Sequence, residues 1–228
     1  MSLHPDSKQE VAQTEFFRIG ISVDCVIFGF DRDELKVLLI KSDMEEFSGQ
    51  WSLLGDLVRP DEDLDHASYR VLRERTGLDN VYLEQVHSFG DVNRHPAGRV
   101  ITTAYYSLIN IRDHDLKLQH NQLHWHAVND ITTLAFDHLD ILNTCIRKLR
   151  EKIHDHPIVF NLLPKKFSLR ELQNVYEAIL GQKLDRRNFR KRFFHMEWLL
   201  DTNELEPDVP HRPGKLYTCN KNRIGAGS

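Results

Sequence analysis

The sequence predicts an α+β protein of two units, an α/β/α sandwich over residues 1–156 followed by a winged helix-turn-helix over 157–228. Three observations carry this. Short strands and helices are mixed through the first unit, opening with a hairpin, in an order that fits a sandwich and not a repeat array. A capped helix, a Gly-containing turn and a second capped helix follow. Charge divides at the same place: Pro157–Ser228 holds 13 Lys and Arg against 8 Asp and Glu, a balance of +5, whereas 1–156 holds 17 against 26, a balance of −9. A basic module beside an acidic one points to a polyanion partner for the basic end alone.

Gly20–Phe30 (GISVDCVIFGF) is a β-rich run, Asp31-Arg32-Asp33-Glu34 is turn chemistry, and Leu35–Ile40 resumes as a strand, making a hairpin. Trp51–Val58 reads as another extended stretch. Glu62–Arg75 places Leu64, Ala67, Val71 and Leu72 on one side of a helix that Gly77 stops. Strands are expected over Val81–Phe89, Arg99–Asn110 and His124–Val128, then a long helix over His138–His154. Composition shifts at His154–Pro157. Ser168 and Glu171 form a capping box before the apolar side Leu169, Leu172, Val175, Tyr176 and Ile179, which ends at Gly181. Asp185 caps a second helix reaching about Met196. Strand-like Trp198–Asp201, a polar loop with prolines, and strand-like Lys215–Cys219 complete a wing.

Apolar content of 40% with 28% charged residues reads as an ordinary globular chain. No apolar run approaches the roughly 20 residues needed to cross a bilayer, and Met1–Phe16 lacks the apolar centre of a signal peptide, so no membrane partner is expected. Cys25, Cys145 and Cys219 are odd in number and far apart, which argues against disulfides or zinc and for a cytoplasmic protein. No cofactor is expected.

Residues Gly55–Glu62 and Arg70–Leu78 resemble the Nudix box, G-x5-E-x7-R-E-U-x-E-E-x-G-U with U aliphatic. In Nudix enzymes the glutamates of this loop and helix share one face and hold divalent metals against a pyrophosphate. Glu62, Arg70, Leu72, Glu74, Gly77 and Leu78 stand where the signature asks. Asp56 takes the place of the opening glycine, with Gly55 before it. Val71 and Arg75 replace the first and third carboxylates of the metal trio, and only Glu74 remains. A valine cannot ligate a hard cation and a guanidinium repels one. The expectation is a Nudix scaffold with no metal site and no catalytic residues.

Ser88–Ile101 is similar to a segment of Nudix proteins that handle ADP-ribose, close to F-G-D-x-x-R-D-P-R-G-R-V-I. His95 stands for the Asp and Ala97 for the first Arg after Pro96. Losing a cation there points to a smaller, less charged effector. Asp24, Lys41, Asp56, Glu62 and Arg99 are expected around the cleft, with Trp51 or Phe89 stacking on a sugar face.

In Leu184–Phe194, Phe189 and Phe193 are expected to face the core with Met196. Arg186, Arg187, Asn188, Arg190 and Lys191 then fall on other faces, where arginine suits guanine and asparagine suits adenine. Lys165 and Lys166 before the first helix, and Arg212 and Lys215 around the wing, are expected to hold phosphates.

An eroded Nudix domain followed by Pro164–Gln173 and Asp185–Lys191 is similar to the Nudix-related transcriptional regulators, over about Phe17–Cys219. The resemblance implies a homodimer whose Nudix domain binds an effector and whose paired winged helices grip a palindromic DNA operator. Members respond to ADP-ribose or to sugars. Asp24–Phe30 and Asn161–Pro164 are similar to the sugar-responsive branch, which favours a sugar such as arabinose over ADP-ribose. The expected protein is a repressor that leaves DNA when its effector changes the angle between domains or protomers. The alternative is a Nudix hydrolase cleaving ADP-ribose or a related nucleoside diphosphate derivative.

Overall fold

Strand β1 (Gly20–Asp31) is buried on both faces through its middle, which is why it reads as a near-continuous apolar run. In this computed structural model, residues 19–79, 81–113, 123–207 and 212–224 are described. Met1–Phe16, read above for a signal peptide, lies outside them. β1 is central in a seven-stranded sheet with β2 (Glu34–Lys41), β3 (Trp51–Ser52), β4 (Leu54–Leu57), β5 (Glu84–Phe89), β6 (Val100–Ile109) and β7 (Leu123–Ala127). The main order is β3-β2-β1-β6-β5, with β4 also on β1 and β7 also on β2. β1 and β6 run parallel, from Gly20 opposite Val100 to Gly29 opposite Ile109.

Alternation along β1 sends its two side-chain sets to different helices. Val23, Cys25 and Ile27 join Ala67, Val71 and Leu72 of helix α1 (Leu64–Thr76) in one core. Val26 and Phe28 join Ile141, Leu142, Cys145 and Leu149 of α2 (His138–Lys152) in the other. That is the expected α/β/α sandwich. The β1–β2 turn places both Arg32 (φ 50°) and Asp33 (φ 62°) in the left-handed region, the backbone a two-residue hairpin of right-handed twist demands. The extended stretch expected over Trp51–Val58 is divided at Leu53: β3 pairs with β2 and β4 with β1. The strand expected from Val81 begins at Glu84.

A 3-10 segment, Pro157–Leu162, leads to β8 (Phe167–Ser168), α3 (Leu169–Leu180), α4 (Arg186–Met196), β9 (Leu199–Leu205), β10 (Lys215–Cys219) and a short α5 (Lys221–Ile224). Both capping-box bonds of α3 form, and Gly181 ends it at φ 70°. β8, unforeseen, pairs with β10 and closes a three-stranded sheet in order β8-β10-β9. The tip of the loop between β9 and β10, residues 208–211, lies outside the described residues.

The second core does not stop at the winged helix. It continues from α2 through Val159, Leu162 and Phe167 to Leu172, Tyr176, Phe189 and Phe193. Tyr176 Oη donates to Ile153 O at 2.9 Å, Arg150 Nε to Ile179 O at 2.7 Å, and Asn174 Nδ2 to Asp33 Oδ1 at 2.8 Å. Shared apolar burial plus these polar ties restrains motion between the two parts far more than a solvated linker does. Among the described residues no helix is long and apolar enough to cross a membrane.

Candidate functional site

Helix α1 is started by Asp63, whose carboxylate accepts from His66 N at 2.8 Å, and stopped by Gly77 at φ 73°. Inside that frame Arg70, with a side chain only 6% exposed, gathers the acids of the Nudix loop. Its Nε and a terminal nitrogen donate to Glu62 at 2.9 and 2.6 Å. Its other terminal nitrogen reaches Asp56 and Glu74, each at 3.2 Å. Glu74 also meets Arg59 at 3.3 Å, and Glu62 accepts from Arg59 N at 2.9 Å. The Arg70 bonds, helped by the Arg59 amide, hold the Glu62 carboxyl down to about 2. Glu62 thus braces the loop, and it does not line the cleft beside it.

The Nudix fold implies divalent metal, and these residues do not fit one. Val71 is 1% exposed in the α1 core, Arg75 is a cation, and Glu74 is held between Arg59 and Arg70. Among the described residues no group of three or more His, Cys, Asp or Glu is placed to hold a metal ion.

Beside this knot lies a cleft of about 560 Å³ between the ends of β1, β2 and β4, the last turn of α1, and the loops around Arg94–Val100 and Phe136–His138. Asp24 forms its floor, 4% exposed, accepting from Thr102 Oγ1 at 2.7 Å. Gly55 lies directly over it: a Cβ there would collide with Asp24 Oδ1 and stand 3.0 Å from the Val23 carbonyl. His138 Nδ1 accepts from Leu53 N at 3.1 Å and sits 3.0 Å from Ser52 Oγ. That leaves the proton on Nε2, which faces Asp24 Oδ1 at 3.5 Å. Burial lowers the His138 pKa and keeps this neutral form. Arg94, 3% exposed, makes a two-pronged contact with Asp137 at 2.8 and 2.7 Å and stands 3.8 Å from Asp24. Phe136 (φ 56°) stacks on His95 with 5.2 Å between centroids and 11° between planes.

Of the expected effector residues, the structure brings Asp24, Lys41, Asp56 and Arg99 to the cleft. Trp51 and Phe89 do not line it. Lys41 lies 3.8 Å over the Trp51 ring and donates to Gly49 O at 2.6 Å, while His124 and His126 meet the same ring edge-on. Phe89, opposite Thr102 on an edge strand, packs into the larger core. Arg99 donates to the carbonyls of Gly90 and Asp91, both at 2.8 Å, and so holds its own loop. Arg75, Arg94, His95, Phe136 and His138 were missed as cleft residues. Arg75 was visible only as a lost metal ligand, and Arg94 lay unweighed within the Ser88–Ile101 motif.

In the winged helix, Asp185 caps α4 by accepting from Asn188 N at 2.8 Å. Phe189 and Phe193 pack edge-on against Tyr176, with centroids 5.5 and 5.1 Å away. Fixing those two inward turns Arg187, Asn188 and Lys191 outward, and all three are exposed. Arg186, Arg190, Arg212 and Lys215 line a groove of about 720 Å³ between α3, α4 and the wing, joined by Arg170, which sequence reasoning missed. Lys165 is exposed. Lys166 is paired with Glu204 at 2.7 Å and Lys215 with Asp201 at 2.6 Å across the wing surface, so a phosphate at either would compete with a carboxylate. The fifth cation of the α4 run, Arg192, donates to His154 O at 2.5 Å and ties the helix to the first unit.

Fold and sites together define a Nudix domain joined to a DNA-binding winged helix. Family models agree: the NUDIX domain matches residues 18–164 and the NrtR DNA-binding winged helix domain matches 159–219. The ADPR responsive transcriptional repressor NtrR of Acinetobacter baylyi is 35% identical over 202 residues, spanning 86% of this chain and 80% of that one. Shewanella oneidensis NrtR complexed with a 27mer DNA superposes with a TM-score of 0.77 at 28% identity, over 90% of this chain and 95% of that one. The NUDIX domain of the same protein complexed with ADP ribose gives 0.54 at 26% identity, over 64% and 99%. The chain belongs to the NrtR family of Nudix-domain transcriptional repressors. These relatives do not support the expected affinity with an arabinose-responsive branch: the repressor matched across most of the chain is named for its response to ADPR.

Proposed function

We propose that the protein represses transcription as a homodimer on a palindromic operator in the cytoplasm, and that ADP-ribose in the Nudix cleft releases it. The observation that carries the effector assignment is the half-buried Arg75 guanidinium, unpaired among the described residues, in a cleft of about 560 Å³ that Lys41, Arg94 and Arg99 also line while engaged by Gly49 O, Asp137 and the Gly90 and Asp91 carbonyls. A volume in that range suits a ligand of nucleotide size, and the cations suit two phosphates. A pentose needs neither. The named effector of the A. baylyi relative and the ADP ribose held by the S. oneidensis Nudix domain support the same reading.

Operator contact is assigned to Arg186, Arg187, Asn188, Arg190 and Lys191 of α4, with Lys165 and Arg212 on flanking phosphates. One recognition helix reads one half-site, so two copies a helical turn apart read a palindrome. An effector releases DNA only by binding the released arrangement more tightly. The route is short, since β1 and β2 carry Asp24 and Lys41 at the cleft end and Asp33, against α3, at the other. Titration calorimetry with ADP-ribose and L-arabinose tests the assignment. Saturable binding of ADP-ribose is expected. Binding of arabinose alone would overturn it, and so would AMP release from ADP-ribose with magnesium in place of stable binding.

A further inference from the structure

Resting on the ADP-ribose reading, we infer that the cleft holds the ligand's pyrophosphate without a metal ion, and that the Arg75 guanidinium supplies the positive charge a metal would otherwise bring. Arg75 occupies the position of the third glutamate in the Nudix box, near the end of α1. It lines the cleft and is half-buried there.

Its neighbours show what is unusual about it. Arg70 is surrounded by three carboxylates, Arg59 meets Glu74, and Arg94 is locked to Asp137. Among the described residues Arg75 has neither an ion-pair nor a hydrogen-bond partner. A half-buried guanidinium left without an acceptor loses solvation and gains nothing in return, unless a ligand provides the acceptor. Its planar fork matches two phosphate oxygens at once, and it stays charged at every accessible pH.

The metal alternative fails on the same side chains. A divalent ion at this position would face Arg75 with one carboxylate, Glu74, already shared between two arginines. Replacement of a glutamate by arginine thus changes how the site meets a pyrophosphate, from through a metal to directly. The other acids cannot return to metal duty while Arg70 holds them.

The test is ADP-ribose binding by the full-length protein in EDTA and in magnesium, for wild type, Arg75→Ala and Arg75→Lys, each first checked for an unchanged melting transition. Wild-type affinity is expected to differ less than about twofold between the two buffers. Arg75→Ala is expected to bind about ten- to a hundredfold more weakly in EDTA, the size of one lost charge-assisted contact, and Arg75→Lys to recover part of the loss. Dependence of the wild type on magnesium, or wild-type affinity in Arg75→Ala, overturns the inference while leaving ADP-ribose as the ligand. Absence of wild-type binding in both buffers overturns the ADP-ribose reading and the inference with it.

Discussion

Asn174 on α3 donates to Asp33 at the β1–β2 turn across 2.8 Å, among the described residues the one side chain to side chain hydrogen bond between the sandwich and the helix that precedes the recognition helix. Asp33 also occupies a left-handed backbone position, so the turn and the contact are built by the same residue. Asp33→Asn keeps the preference for that backbone while altering the acceptor. The ratio of operator affinities without and with ADP-ribose is expected to fall about two- to tenfold in this variant, with ADP-ribose affinity for the DNA-free protein little changed. Fluorescence anisotropy on labelled operator reads the ratio, and an unaltered ratio rules the contact out of the coupling.

Arg70 and Glu62 make an acid-sensitive brace. The folded-state pKa of Glu62 lies near 2, below the ordinary 4.5, so its stabilisation is present above about 4.5 and is lost as pH falls toward 2. Urea midpoints followed through that window should drop more steeply in wild type than in Glu62→Gln, which has nothing there to titrate. Parallel curves would show that the pair does not contribute in the folded state.

Gly55 admits Asp24 to the floor of the cleft. Adding a methyl group by Gly55→Ala forces the Asp24 carboxylate away from Thr102, since the Val23 carbonyl blocks retreat on the other side. A loss of about 1–3 kcal/mol in stability is expected, with at least tenfold weaker ADP-ribose binding. Thermal melts with and without ligand measure both, and a variant as stable and as responsive as wild type contradicts the geometry.

Along α4, Arg187→Ala and Lys191→Ala should each weaken operator binding and reduce the slope of log affinity against log salt by about 1 where a phosphate contact is lost. Lys166→Ala should do much less, because that ammonium is already satisfied by Glu204. An equal effect from Lys166 would mean that the wing salt bridge opens on DNA.

Local chemistry made most of the fold readable. The capping box at Ser168, the stops at Gly77 and Gly181, and the two-sided apolar run of β1 each act within a few residues, and each formed as expected. β8 escaped because two residues that both start a helix and end a strand leave no periodicity. The cleft was only half legible. Asp24, Asp56 and Arg99 sit in motifs, whereas His138 meets Asp24, and Phe136 meets His95 and His138, through folding that leaves no local mark. Trp51 and Glu62 lie off the cleft, and sequence names a side chain's chemistry without showing that Lys41 already covers the one and Arg70 already pairs with the other. The sugar expectation has a related origin: the cation absent at Ala97 is visible in the motif, whereas the one present at Arg75 reads there solely as a lost metal ligand.

The central claim is that one ligand in the Nudix cleft controls DNA occupancy at α4. Its most direct test is titration of ADP-ribose into a preformed complex of the full-length protein with its own upstream DNA, followed by anisotropy with product analysis of the same samples. Release of DNA is expected at saturating ADP-ribose, with the ligand recovered intact and arabinose without effect. DNA that stays bound at saturation, or ADP-ribose converted to AMP while the protein ignores DNA, would contradict it.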